Sequence, residues 1–203
     1  MPALNVAAAM PHRFRTYKAR KHQAANCKIW EAARATSAAP TFFERMVIHE
    51  SGVSQSYIDG GMGCNNPIAQ VLEEAALVFP NRHVACIISI GAGQPRTLAI
   101  PKPGWLQVLP LDFVEAIRGI ATSCEQKAQE VAGRFQGLPD VYFRFNVEQG
   151  MQSIGFADWE RLGEVVTHTD QYMRMVEVDQ KLDAAVATIQ ARQKMVPTAR
   201  IGM

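Results

Sequence analysis

The sequence has 203 residues, 48% of them hydrophobic and 20% charged, which is enough to bury a core and suits a single folded domain. Its net charge of +2, from 21 basic and 19 acidic side chains, argues against a protein that neutralises many nucleic-acid phosphates. Because no run of about 18 apolar residues is present and the first residues lack the order of a secretory signal, we expect a soluble, cytoplasmic protein.

The first elements in chain order are short. Residues 4–9 have the composition of a strand, and a basic stretch follows at 13–21. This stretch suits a solvated loop better than a patch for anionic lipid headgroups, although five charges can serve either purpose, so a peripheral membrane contact stays open. The alanine-rich residues 28–39 predict a short helix that ends at Pro40.

A hairpin and a capped helix come next. Residues 45–50 and 55–58 predict two strands joined by a turn at Gly52. Asn66 is a good N-cap with Pro67 at the first helical position, so a helix is expected from Pro67 to about Phe79.

The second half of the chain alternates strand and helix. The apolar run 83–90 predicts a strand covered on both faces, and the proline- and glycine-rich residues 91–105 predict a loop. A helix over 113–135 precedes a strand at 141–147, and one last helix over 158–193 is expected to pack its apolar stripe on the sheet. This order predicts an α/β layered domain with a mostly parallel sheet.

Asp59 stands where an apolar strand ends and is followed by Gly60 and Gly61. In open α/β sheets, sites lie outside the carboxyl ends of strands, and glycines there let backbone or substrate approach closely. An aspartate before glycine also commonly bonds its own backbone in a turn, so the motif alone favours a structural role.

A resemblance to a known family, which extends over most of the chain, favours a functional role for Asp59 over a structural one. The segments KIWEAARATSAAPTFF, SYIDGGMGCNNPI, IISIGAG, YFRFNV and HTDQYM, in this order, resemble the C-terminal part of the patatin-like phospholipase domain. The resemblance implies a three-layer α/β/α sandwich that hydrolyses lipid acyl esters with a serine–aspartate dyad, without cofactor or metal. The family's D-G-G motif maps onto Asp59, Gly60 and Gly61, with Asp59 as the proton acceptor.

The sequence departs from the family at the nucleophile. It contains neither the G-x-S-x-G turn nor the glycine-rich oxyanion loop, both of which lie upstream of the D-G-G motif in the family. We therefore expect residues 1–203 to be a partial patatin-like domain, truncated at its N-terminus. Ser37, in a helix, Ser56, on a strand, and Ser89, in a buried strand, are poor substitutes.

Two other interpretations compete with a lipid hydrolase. A nucleotide site at Gly91-Ala92-Gly93 fails because the third glycine of the fingerprint is missing and Pro95 prevents an immediate helix. A catalytically inactive module that binds lipid or a protein partner is as compatible with these residues as an enzyme.

The cysteines and histidines predict neither a metal site nor a disulfide framework, because none of them stands at ligand spacing. We expect reduced thiols and isolated imidazoles. The residues concerned are Cys27, Cys64, Cys86, Cys124, His49, His83 and His168.

Overall fold

The computed structural model describes residues 2–7, 10–17, 26–40, 42–50, 52–93, 124–155 and 158–202. The chain divides into two compact units, one drawn from 1–71 and 109–127 and the other from 72–108 and 128–203. Two of the three dividing points, after residues 71 and 127, fall inside helices, and the third, after residue 108, lies outside the described residues. That the chain folds as a single domain stays a prediction.

The first unit is built on a four-stranded sheet with the order β2-β1-β4-β3. Its strands are β1 (Pro2–Asn5), β2 (Met10–Arg13), β3 (Met46–Glu50) and β4 (Val53–Asp59). The strand expected at 4–9 is thus shorter and begins earlier. The hairpin of β3 and β4 is confirmed, with Glu50 opposite Val53 and Gly52 at a φ of 80°.

All pairings in this sheet are antiparallel, so a mostly parallel sheet is not confirmed here. The length of the connections accounts for two of the three pairings. A parallel crossover needs a dozen or more residues, whereas β3 and β4 are joined by two residues and β1 and β2 by four.

Two helices lie within the first unit, and a third, over residues 68–78, is divided between the two units. Helix α1 (Ile29–Thr36) begins where the Glu31 carboxylate accepts a hydrogen bond from the Lys28 N–H at 2.6 Å. The four-residue α2 (Gly61–Cys64) follows β4 directly. Helix α3 (Ile68–Val78) is capped as predicted, since Asn66 Oδ1 accepts a hydrogen bond from the Ile68 N–H at 3.3 Å.

The core of the first unit lies between α1 and the sheet. Its buried side chains come from β1, α1, β3, β4 and the residue after β2. They are Ala3, Phe14, Ala35, Ile48 and Tyr57.

The second unit contains two small sheets. β5 (His83–Val84) pairs antiparallel with β8 (Val196–Pro197), and β6 (Ile87–Ile90) pairs parallel with β7 (Tyr142–Phe145). The single strand expected at 83–90 is therefore two strands with different partners. It is not covered on both faces, because Ile88 and Ile90 are 41% and 79% exposed while Ile87 and Ser89 are buried.

Helix α4, at 124–135, confirms the C-terminal part of the helix expected over 113–135. Residues 113–123 of that helix and residues 94–105 of the expected loop lie outside the described residues. The single helix expected over 158–193 is wrong. A 3-10 turn leads into α5 (Leu162–Met173), and Met175, with a ψ of 132°, separates it from α6 (Val176–Ala191).

Packing of the last helices also differs from the expectation. α6 contacts β7 and buries Val178 and Ala185. No residue of α5 is buried, and Trp159, Leu162 and Val166 are 72%, 60% and 67% exposed. The apolar stripe is therefore largely open rather than packed on a sheet.

Candidate active site around Asp59

Asp59 is the last residue of β4, as the sequence predicts. It is paired with Ala3 of β1, and its N–H donates to the Ala38 carbonyl at 3.0 Å. The residue is therefore held from two sides, by a neighbouring strand and by the segment that follows α1. Its side chain is half-buried.

The carboxylate of Asp59 is oriented by the backbone that follows it. Oδ1 accepts a hydrogen bond from the Gly61 N–H at 2.6 Å, which is the turn that an aspartate before glycine commonly makes. Among the described residues, no donor to Oδ2 is found. One oxygen is thus fixed, and the other is available to accept a proton.

Gly60 is required by close packing rather than by its backbone angles, since its φ of −60° suits any residue. A Cβ there would lie 2.4 Å from the Pro2 carbonyl oxygen. The Gly60 N–H donates to the Thr36 carbonyl at 3.2 Å, and the Thr36 hydroxyl donates to that same Pro2 oxygen. The chain after Asp59 is therefore wedged between β1 and α1.

Gly61 has a different reason to be glycine. A Cβ at this position would lie 2.9 Å from Asp59 Oδ1 and 3.3 Å from Asn65 Oδ1. A side chain would push against the oxygen that the Gly61 N–H holds. The expectation that both glycines permit close approach agrees with this geometry.

The three serines that the sequence analysis set aside are not hydrogen-bonded to Asp59 in the described part of the chain. Ser37 donates to the Ala33 carbonyl of its own helix at 2.9 Å, and Ser56 lies on β4 opposite Val47. Ser89 is buried in the second unit and accepts a hydrogen bond from Arg144.

An aromatic cluster around Tyr57, two residues before Asp59 on β4, is a feature that the sequence analysis missed. The Tyr57 ring is 2% exposed and lies 5.2 Å from Phe14 and 5.3 Å from His12, centroid to centroid. Burial raises the pKa of the Tyr57 hydroxyl, which donates to Gln55 Oε1 at 2.5 Å. The sequence pattern that could have revealed this cluster is the alternation of side chains along β2 and β4, which puts His12, Phe14 and Tyr57 on one face of the sheet.

Two arginines of the basic stretch bond within the protein. Arg13 Nε donates to Gln70 Oε1 at 2.6 Å, and Arg15 donates to the Arg13 carbonyl at 3.2 Å. Lys18, Arg20 and Lys21 lie outside the described residues. None of the described helices is long and apolar enough to cross a bilayer. The described histidine, cysteine, aspartate and glutamate side chains form no group of three or more that could hold a metal ion.

Comparison with protein families identifies the segment that contains this site. Residues 1–72 match the model of the patatin-like phospholipase family, and this stretch includes the whole of β4, Asp59, Gly60 and Gly61. The chain carries a patatin-like segment. The resemblance read from the sequence is confirmed.

The chain is similar to proteins that are named as phospholipases or as patatin-like. It is 33% identical to Phospholipase A I of Arabidopsis thaliana over 127 residues, which are 62% of this chain and 9% of that protein. It is 33% identical to human calcium-independent phospholipase A2-gamma over 121 residues, 59% of this chain and 14% of that protein. It is 35% identical to Patatin-like protein 3 of Arabidopsis thaliana over 79 residues, 36% of this chain and 18% of that protein. The matches span less than a fifth of each relative.

Proposed function

We propose that this chain contributes Asp59 as the proton acceptor of a serine–aspartate dyad that hydrolyses acyl esters of lipids. The observation that carries the proposal is the carboxylate at the end of β4, fixed through one oxygen, inside the segment that matches the patatin-like family. A serine hydroxyl is hardly ionised at neutral pH, so it needs a base within hydrogen-bond reach. The open oxygen of Asp59 supplies one.

The nucleophile of this dyad is proposed to come from a G-x-S-x-G turn outside these 203 residues, because the sequence contains no such turn. The oxyanion donors are proposed to come from a glycine-rich loop of the same segment. The described elements then form part of a three-layer α/β/α domain, for which the parallel pairing of β6 and β7 is supporting evidence. We place this protein in the cytoplasm, with peripheral access to lipid surfaces.

The test compares the chain alone with a form that is extended by a segment carrying both motifs. The chain alone is expected to leave p-nitrophenyl esters and phospholipids unhydrolysed, whereas the extended form hydrolyses them. In the extended form, Asp59→Asn is expected to lower kcat by at least about 10²-fold, the usual contribution of a general base. Asparagine retains an oxygen for the Gly61 N–H, so folding is preserved.

Two control variants make this test specific. Asp170→Asn removes a carboxylate that is 58% exposed and pairs with Arg174. Ser37→Ala removes the hydroxyl next to Ala38, whose carbonyl accepts from the Asp59 N–H; both variants are expected to keep full activity. Turnover by the bare chain that Asp59→Asn does not change would refute the assignment. Loss of activity in Ser37→Ala would instead identify that serine.

A non-catalytic module is the second candidate, because no described serine reaches Asp59 and apolar side chains of the last helices are exposed. Such a module binds lipid or a protein partner without turnover. Co-sedimentation with phospholipid vesicles, combined with inactivity of the extended form, would favour it.

A further inference from the structure

Arg144 lies on β7 in the second unit, at the carboxyl end of the parallel pair that β7 forms with β6. Its register partner is Ser89, whose buried hydroxyl accepts a hydrogen bond from Arg144 Nη1 at 3.0 Å. Ligands of parallel α/β sheets bind outside the carboxyl ends of the strands. The guanidinium is therefore at a position where an α/β fold commonly holds a ligand.

The charge of Arg144 has no counterion in the described part of the chain. Three other arginines of the same unit are paired with carboxylates, at 2.5 Å in Arg134, 2.6 Å in Arg161 and 2.9 Å in Arg174. Arg134 and Arg174 are exposed, and Arg161 is half-buried but paired. Arg144 is also half-buried, and its Nε is buried with no hydrogen-bond partner among the described residues. A desolvated cation without an anion is unfavourable, so this position calls for a bound anion.

A second unsatisfied donor lies on the same strand. The Tyr142 hydroxyl is also buried without a partner among the described residues. Residues two apart on a strand point to the same face, so Tyr142 and Arg144 are on one side of β7. Two orphaned donors on one face are rare in folded proteins and indicate a missing acceptor.

The chain after β6 is shaped around this guanidinium. A Cβ on Gly91 would lie 2.6 Å from Arg144 Nη2 and 2.2 Å from Asn146 Oδ1. The same Asn146 oxygen accepts a hydrogen bond from the Gly93 N–H at 2.9 Å. Glycine at 91 therefore lets the side chains of Arg144 and Asn146 converge at the ends of both strands.

We infer that Arg144, with Ser89 and Asn146 holding its surroundings, binds a phosphate-type oxyanion at the carboxyl ends of β6 and β7. The planar guanidinium presents paired N–H donors that match the oxygens of a phosphate group. A tetrahedral oxyanion also has oxygens to spare for a neighbouring donor such as the Tyr142 hydroxyl. This site uses none of the residues around Asp59 and does not depend on the proposed dyad.

The experiment titrates the 203-residue chain with sodium phosphate, and separately with glycerophosphocholine, at constant ionic strength set by sodium chloride. Unfolding temperature and calorimetric binding are both measured. Phosphate is expected to raise the unfolding temperature in proportion to the logarithm of its concentration once it exceeds Kd. Arg144→Gln is expected to raise Kd about tenfold or more, the effect of losing a charge-assisted hydrogen bond.

Three further variants separate binding from folding. Arg174→Gln removes the same charge from an exposed ion pair and should bind like the wild type. Gly91→Ala displaces Arg144 Nη2 without changing charge and should weaken binding. If Arg144→Gln does not fold, Arg144→Lys keeps the charge without the fork and should bind more weakly than the wild type.

Each possible result of the titrations either supports or overturns the inference. Binding of glycerophosphocholine as well as phosphate supports the site and assigns it to a lipid headgroup; binding of phosphate alone supports the site and assigns it to a free phosphate. Absence of binding in the wild type overturns the inference. Equal binding by the wild type and Arg144→Gln, or by Arg144→Lys where the glutamine variant does not fold, also overturns it.

Discussion

Replacing Gly60 with alanine tests how tightly the segment after Asp59 is held. The new Cβ would lie 2.4 Å from the Pro2 carbonyl oxygen and 3.0 Å from the Pro2 carbonyl carbon. Nonbonded heavy atoms pack best at about 3.5–4.0 Å, so β1 and the start of α2 must separate by about 1 Å. Neither partner can rotate away, because the Cβ is bonded directly to the backbone at residue 60 and the Pro2 carbonyl is itself backbone.

The expected destabilisation follows from two contributions. Overpacking of this kind costs about 1–3 kcal/mol. Moving Gly60 also weakens its hydrogen bond to the Thr36 carbonyl, which contributes about 1 kcal/mol. We therefore expect Gly60→Ala to lower the free energy of unfolding by about 2–4 kcal/mol, a large part of the stability of an ordinary domain.

The assay is urea denaturation followed by circular dichroism. With a slope of about 2 kcal/mol per molar urea, the middle of the usual range, the midpoint should fall by about 1–2 M. Gly63→Ala is the matched control, because its Cβ would meet only the flexible end of Leu4, at 3.1 Å. A Gly60→Ala midpoint no lower than that of Gly63→Ala would refute the close contact.

Three other predictions concern pH, helix ending and association. Burial raises the pKa of Tyr57, so its contribution is complete below about pH 10 and is lost as pH rises through the folded-state value; Tyr57→Phe should flatten the loss of stability that begins as the pH rises above about 10. An unchanged pH profile would contradict this. Arg192 ends α6 with a φ of 49°, so Arg192→Gly should raise the unfolding free energy by up to about 1 kcal/mol in a urea titration, and a decrease would argue against the strain. Leu162 is 60% exposed, and Leu162→Gln should reduce self-association in light scattering, whereas equal association would exclude this surface.

The sequence predicted the surroundings of Asp59 well because local signals determine them. The hairpin of β3 and β4 and the cap at Asn66 each depend on residues within a few positions of one another, whereas α1 ends at Thr36, three residues before the predicted end. Glycines after an aspartate and an asparagine before a proline are such signals. The resemblance supplied the role proposed for Asp59, which spacing alone did not.

Features that depend on distant partners could not be predicted in this way. The run 83–90 looks uniform, yet its two halves pair with strands more than 50 residues further along the chain. The break between α5 and α6 had a weak local signal, because acidic Glu177 and Asp179 follow basic Arg174, as the first turn of a new helix favours. The environment of Arg144 depends on Ser89 and Gly91, which no periodicity connects to it.

The pairing of β5 with β8 has a consequence for the order in which this protein folds during synthesis. The buried Thr198 hydroxyl shares its one hydrogen between the carbonyl oxygens of Phe79 and of Arg82, the latter 116 residues earlier. Closing so long a loop is entropically unfavourable and slow, and it requires both ends to exist. On the ribosome, the end of α3 and β5 must therefore wait until residues 196–198 have been synthesised before they gain these partners. During that interval, chaperones or self-association compete with folding for the half-exposed Phe79 ring.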